Sequence, residues 1–421
     1  MFRADLHIHS RFSRATSKNL TLRNLASHAY IKGIHLIGTG DCTHPAWLQE
    51  IEEELTYDDN TGFYRLKIPL GTQDIAEQTN IRLKQVSFQP QFVLQGEISC
   101  IYKKNNAVRK NHQLIYAPDI ETAKKINAKL AKIGNLSADG RPMLGLDAKI
   151  LLEYVLEEKQ SHLIPAHIWT PWFSIFGSKS GFNTLEECFG DLTEEVFALE
   201  TGLSSDPPMN RLCSALDRYV LISNSDAHSG ENLGREANIF HSAPTYQSLF
   251  ESLRRKNTFL YGTIEFYPEE GKYFADGHRN CKICFMPDES ENHQNICPVC
   301  GKPLTIGVLN RVMELADRKM PLTAKEQFES CVPLKEILAE IHQTGAKSKK
   351  IHSHYEKLIN SYGNELDILQ NVPIETISHE NNMLAKALYN MRTDAVRKTY
   401  GFDGEYGKIH ILQLDKKKRV N

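Results

Sequence analysis

The chain has 421 residues, 41% hydrophobic and 24% charged, with a formal net charge of −2. That composition belongs to a globular protein with a sizeable core, and the length calls for two or three domains. The balanced charge excludes a grossly basic nucleic-acid-coating protein; no run of 18 apolar residues offers a membrane span, and the N-terminus has no signal-peptide pattern.

In chain order, the first 265 residues alternate short apolar runs with helical stretches. The runs Ile34–Gly38, Gln91–Gln95, Leu114–Tyr116, His162–Ala166, Val196–Leu199 and Tyr219–Ile222 read as strands. Thr21 can cap a helix with Leu22, Leu25, Ala26 and Ala29 on one face; residues 120–133 and Leu146–Lys159 read as two more. Alternating β and α implies a mainly parallel sheet, closed at this length into a β/α barrel. His7, His9, Asp41, Glu97, His167, Asp226 and His228 fall at or just past strand ends, which in such a barrel converge on one face. Imidazole and carboxylate are the donors that Zn²⁺, Mn²⁺ or Fe²⁺ take, and a carboxylate can bridge two ions. Closely spaced cations make a metal-bound hydroxide nucleophile and stabilise phosphate charge, so the expected chemistry is phosphoester hydrolysis. Arg235 is a candidate for holding a phosphate oxygen, with an ion pair to Glu236 or Glu231 an equal alternative.

After residue 270 the pattern changes. Cys281-x-x-Cys284 and Cys297-x-x-Cys300 have four-thiolate zinc spacing, in a chain whose nine cysteines otherwise suggest a reducing, cytoplasmic setting. From 310 to 396 the chain reads helical, with Lys347, Lys349 and Lys350 at a helix start, where phosphate is favoured. The tail Lys416–Arg419 reads as a frayed basic terminus. The expected division is 1–270, a metallo-phosphoesterase barrel; 271–308, a zinc ribbon; and 309–421, a helical DNA-binding part. Between His167 and Gly181 lie Trp169, Trp172, Phe173 and Lys179, which read either as a hydrophobic lid or as a stacking platform for a base.

The ordered set Asp5-x-His7-x-His9, Gly40-Asp41, Gly96-Glu97, His112, His167 and Ser225-Asp226-x-His228 resembles the PHP (polymerase and histidinol phosphatase) superfamily. The resemblance implies a distorted seven-stranded β/α barrel holding two or three divalent metals (Zn, Mn or Mg). His7, His9, Glu97 and Asp226 would hold one ion, and Glu97, His112 and His167 a second. Asp41 and His228, with His44, would serve a third site that departs from the superfamily pattern, since Cys42 and Thr43 separate Asp41 from His44. Asp5 would orient a histidine. Asp226 and Glu97, with Arg235, would be the catalytic residues, and the cysteines would hold one structural zinc. The tryptophan segment, the Ser-Asp-Ala-His motif, the cysteine ribbon and the stretch ending near Tyr400–Gly407 resemble a DNA-repair branch of the superfamily. That branch implies cleavage of damaged DNA 5′ to deaminated bases (deoxyuridine, deoxyinosine, deoxyxanthosine) and abasic sites. It also implies a nucleoid-associated monomer with damaged DNA and replication or repair proteins as partners. A small-molecule phosphomonoesterase and an inactive DNA-binding subunit remain the alternatives.

Overall fold

The computed structural model describes residues 1–255, 260–322 and 327–412; the Lys416–Arg419 tail lies outside them. Seven strands surround one apolar interior: β1 (Phe2–Asp5), β2 (Leu36–Gly38), β3 (Gln91–Lys104), β4 (Ala107–Ala117), β5 (His162–Pro165), β6 (Ala198–Glu200) and β7 (Val220–Ile222). Strands β1, β2 and β3 pair in parallel, β3 with β4 and β4 with β5 antiparallel, and β6 with β7 in parallel. Each strand sends residues inward. Ala4, Leu36, Val93, Leu114, Ile164, Ala198 and Val220 belong to a single buried cluster that also takes Phe240 and Phe250. A parallel bridge from Ile8 to Ala227 ties the continuation of β1 to the segment after β7. The result is the distorted seven-stranded barrel.

Strands β3 and β4 form a hairpin far longer than the apolar runs alone suggest. Its turn, Asn105–Asn106, has both residues at positive φ (52° and 59°), the conformation that a tight right-twisted hairpin needs. Lys103, Lys104 and Arg109 extend the strands beyond the barrel.

Helix α1 (Leu22–Lys32) packs outside the barrel, with the Thr21 side chain capping it at Asn24 N and Leu22, Leu25, Ala26 and Ala29 buried. It stops at Gly33, whose φ of 85° suits glycine; a Cβ there would also sit 2.1 Å from Asn364 Oδ1. The helical C-terminal part therefore seats directly on the barrel. Lys32 pairs with Glu365 at 2.8 Å and Arg3 with Asp367 at 2.8 Å across the same junction. Beyond β1 the sheet continues through β8 (Ala237–Phe240) and β9 (Leu260–Glu265) to β10 (Gln327–Ser330), which pairs in parallel with β9. The C-terminal part includes α2 (Leu334–His342), α3 (Lys349–Tyr362) and α4 (Asn382–Arg392). Among the described residues no helix is long and apolar enough to cross a membrane.

Candidate metal centre

The continuation of β1 carries His7 and His9 on one side, as period-two alternation requires. Asp226 follows β7, His167 follows β5, and Glu97 and His112 lie within the paired strands β3 and β4. Donor atoms of His7, His9, Glu97 and Asp226 all lie within 4.8 Å of one another, and those of Glu97, His112 and His167 form a second such set. Glu97 belongs to both. Its Oε1 is 2.6 Å from His112 Nδ1 and 3.3 Å from His167 Nε2, while Oε2 is 3.1 Å from His9 Nε2 and 3.5 Å from His7 Nε2. Asp226 Oδ1 stands 3.0 Å from His9 Nε2 and 3.6 Å from His7 Nε2. His7 Nε2, His9 Nε2, Glu97 Oε1 and Asp226 Oδ1 are all buried without a hydrogen-bond partner. Buried polar atoms are nearly always satisfied, so four facing orphans of ligand type fit a metal site at this set.

The electrostatics agree with that fit. Burial raises the Glu97 carboxyl, but His112, Arg141 and His7 outweigh it and hold Glu97 well below the usual range. Burial likewise opposes ionisation of Asp226, and His7, His9 and His228 overcome it. Burial also lowers His7 and His9, yet carboxylates (Glu200, Glu97 and Asp226 for His7; Asp41, Asp226 and Glu97 for His9) lift both well above the ordinary imidazole value. A pocket this negative retains protons until cations displace them. The backbone is held out of its comfortable regions here: Asp41, His167 and Asp226 have φ of 45°, 28° and 46°. Such non-glycine conformations concentrate where function imposes them.

The imidazoles are oriented from behind. Glu200 lies 3.0 Å from His7 Nδ1 and also accepts from His167 N and Asn224 Nδ2. Asp41 does the same for His9 Nδ1, at 3.0 Å. Asp41 is absent from both clusters. Its other oxygen accepts from Ser10 N, Ser10 Oγ and Ser13 Oγ at 2.7, 2.6 and 2.9 Å, which fixes the carboxylate behind the His9 ring. His228 also lies outside both sets: its Nδ1 is 2.9 Å from the Asp226 carbonyl, and its ring centroid is 4.5 Å from that of His9. His44 is carried away by Cys42 and Thr43 onto the start of the Pro45–Glu54 helix, where it caps Trp47 N and stacks on Phe12. Asp5 accepts from Ser225 N and Gly234 N, fixing the Asp226 loop and no histidine; burial pushes its carboxyl up to about 6. Arg235 spends Nε and Nη2 on the Ser225 carbonyl and braces the same loop. Sequence reading missed two groups. Glu200 had a signal, an acidic residue ending an apolar strand; Arg141, whose Nη1 is 3.1 Å from Glu97 Oε2, sits in a loop with none.

The cysteine site also differs from the spacing argument. His278, Cys281, Cys297 and Cys300 bring their donor atoms within 4.8 Å of one another. Cys284 is left out. In the hairpin of Asp276–His278 with Ile283–Phe285, Cys284 is paired with Gly277, whereas His278 is paired with Ile283. Paired residues share a face and neighbours alternate, so Cys284 and His278 point to opposite sides, and Cys284 packs against the apolar core. His278-x-x-Cys281 has the same knuckle spacing as the cysteine pair and gives a Cys₃His set suited to zinc.

The residues expected to contact DNA separate by burial. Trp169 is core: it is buried against Phe176, and its indole N–H donates to Asn210 Oδ1 at 2.7 Å. Phe173, at φ 61°, packs on the His112 ring with centroids 4.8 Å apart. Trp172 is 39% exposed and edge-on to Tyr273, and Lys179, further along the same loop, is exposed. Lys349 opens α3, which Ser348 caps; Lys347, Lys349 and Lys350 are all exposed. Lys347 lines a cleft of about 400 Å³ shared with Ser17, Asn19 and Ser229, the last adjoining His228.

Fold and site together define a distorted seven-stranded α/β barrel with a candidate metal centre built around one shared carboxylate. Over its whole length the chain is similar to endonuclease Q. It matches the lesion-specific endonuclease PfuEndoQ of Pyrococcus furiosus with TM-score 0.82 and 27% identity, over 98% of this chain and 96% of that one. It matches endonuclease Q in complex with a 27-mer duplex carrying an abasic lesion at the active site with TM-score 0.82 and 26% identity, over the whole of both chains. Residues 333–395 match the MJ0043 C-terminal domain model. Protein MJ0043 of Methanocaldococcus jannaschii is 30% identical over 248 residues, 57% of this chain but only 31% of that protein. Protein YqxK of Bacillus subtilis is 28% identical over 421 residues, covering 96% of this chain and 98% of its own.

Proposed function

We propose that the chain is a metal-dependent DNA-repair endonuclease that hydrolyses the phosphodiester 5′ to deaminated bases and abasic sites, leaving a 3′-hydroxyl and a 5′-phosphate. The carrying observation is the conjunction of the Glu97-centred donor set with full-length likeness to an endonuclease Q bound to lesion-bearing duplex. His7, His9, Glu97 and Asp226 would hold one divalent ion and Glu97, His112 and His167 a second. Bound there, the ions supply water activation and neutralise phosphate charge. Glu200 and Asp41 hold the His7 and His9 rings so that Nε2 of each faces inward. Asp5 and Arg235 keep the Asp226 loop in its strained turn. Phe173 packs on the His112 ring, and Trp172 beside it offers an exposed face on which a displaced base can stack. Extruding a mismatched, damaged or missing base costs least, which favours lesions over intact pairs.

In this reading residues 1–270 carry the chemistry, 271–308 form a zinc-stabilised clip and 309–421 complete the DNA-binding surface, with Lys347, Lys349 and Lys350 on phosphates. The test is incubation of the full chain with end-labelled duplexes containing one uracil, hypoxanthine, xanthine or abasic site, with Mg²⁺, Mn²⁺ or Zn²⁺. A nick on the 5′ side of the lesion that requires metal is expected. Hydrolysis of small phosphate monoesters with no lesion-dependent nick under any metal would overturn the assignment.

A further inference from the structure

Arg235, the arginine that the sequence offers as a phosphate anchor, turns Nε and Nη2 onto the Ser225 carbonyl and stands outside both donor sets. Another arginine stands at the clusters. Arg141 Nη1 lies 3.1 Å from Glu97 Oε2, the oxygen that also faces His9 and His7. Its backbone is fixed on several sides. Arg141 N donates to Asp139 Oδ1, Gly140 N to the Phe12 carbonyl, and Ser99 N to the Pro142 carbonyl. Gly140 is needed for that placement, because a Cβ there would sit 2.3 Å from Asp41 Oδ2 and 2.4 Å from Ser13 Oγ. The loop is thus wedged against the residue that orients His9.

Geometry and exposure decide what this arginine is for. Around the clusters stand the carboxylates of Glu97, Asp226, Glu200 and Asp41, with Asp5 buried behind them. Asp139, on the arginine's own loop, takes Arg14 at 3.1 Å. Arg141 reaches from this buried set towards the mouth of the site, because its side chain is 27% exposed while the Glu97 side chain is fully buried. A guanidinium has five donors in a planar fork, and one Nη suffices for the Glu97 contact. A guanidinium that keeps free N–H groups at the open side of a ligand cluster matches two phosphate oxygens.

We infer that Arg141 binds a non-bridging oxygen of the substrate phosphate, in place of the Arg235 that the sequence suggests. This deepens the phosphodiesterase reading and names the residue that recognises the group to be cleaved. It holds for any phosphoester substrate, so it can be tested apart from lesion cleavage. The full chain, loaded with zinc, is titrated calorimetrically with inorganic phosphate, and metal content is measured by mass spectrometry, for the wild type, Arg141→Ala and Arg141→Lys. Arg141→Ala is expected to bind phosphate at least tenfold more weakly with unchanged metal content, and Arg141→Lys to recover part of the loss. Wild-type affinity in Arg141→Ala would overturn the inference, as would absence of phosphate binding by the wild type. Loss of a metal ion from Arg141→Ala would also overturn it, because the arginine would then be bracing Glu97. Whether lesion-bearing duplex is nicked is read separately and does not alter these outcomes.

Discussion

Replacing His278 by alanine and, separately, Cys284 by serine distinguishes two four-ligand sites that sequence spacing alone cannot. The structure gathers His278, Cys281, Cys297 and Cys300, and turns Cys284 to the other face of the hairpin. Of the described residues between His278 and Pro303, only Ser290 and Cys297 are buried, so this segment has almost no core of its own. A structural zinc in such a setting contributes about 10–16 kcal/mol of apparent folding free energy, or about 3 kcal/mol for each of four ligands. Deleting one true ligand should therefore weaken zinc binding on the order of 100-fold. The assay is competition with a chromophoric zinc chelator at neutral pH, with proteolysis of the 276–303 segment as a second readout. His278→Ala should surrender its zinc and become cleavable there, while Cys284→Ser keeps both close to wild type. Zinc loss from Cys284→Ser with retention in His278→Ala would refute the face argument.

The two tryptophans after His167 should behave in opposite ways. Trp169→Ala, deep in the core, should cost about 3–5 kcal/mol in thermal or urea unfolding. Trp172→Ala should leave unfolding unchanged but weaken binding of lesion-bearing DNA by about 1–3 kcal/mol in a fluorescence anisotropy titration. Below the metal centre, burial pushes Glu265 up to about 8, only partly countered by hydroxyls of Thr263, Thr201 and Ser223, with Asp206 adding to the rise. The folded state therefore holds a proton that the unfolded chain has released, so the contribution is full below about 4.5 and is lost as pH rises through about 8. Melting temperatures between pH 5 and 9 should fall with pH in the wild type, by a few kcal/mol of stability, and fall less in Glu265→Gln. A Glu265→Gln profile parallel to the wild type would contradict that assignment.

How much of this was legible in the sequence depends on what decides each feature. The barrel and the placing of His7, His9, His167 and Asp226 past strand ends were, because strand ends can be read from apolar runs and ligand types stand out there; Glu97, expected at such an end, lies inside β3 instead. What was not legible is which neighbour saturates a side chain. Asp41 and His228 have ligand chemistry, yet Asp41 faces His9, Ser10 and Ser13, and His228 holds its Nδ1 on the Asp226 carbonyl, so neither joins the two donor sets. Arg235 and Arg141 exchange roles for the same reason: a guanidinium near a metal motif in sequence can be aimed at a carbonyl, while a loop arginine reaches the site. His278 was passed over because two overlapping knuckles share Cys281, and only strand pairing selects between them. The β3–β4 hairpin was cut short because Lys103, Lys104 and the Asn105–Asn106 turn carry no apolar alternation.

The central claim is that one carboxylate, Glu97, and its partner Asp226 build a metal centre that cuts DNA. Single-turnover cleavage of an abasic duplex by wild type and Asp226→Ala, with DNA affinity measured on the same samples, tests it most directly. The expected result is retained DNA binding with cleavage reduced at least 1,000-fold, roughly 4 kcal/mol in the barrier. Cleavage by Asp226→Ala at the wild-type rate would contradict it.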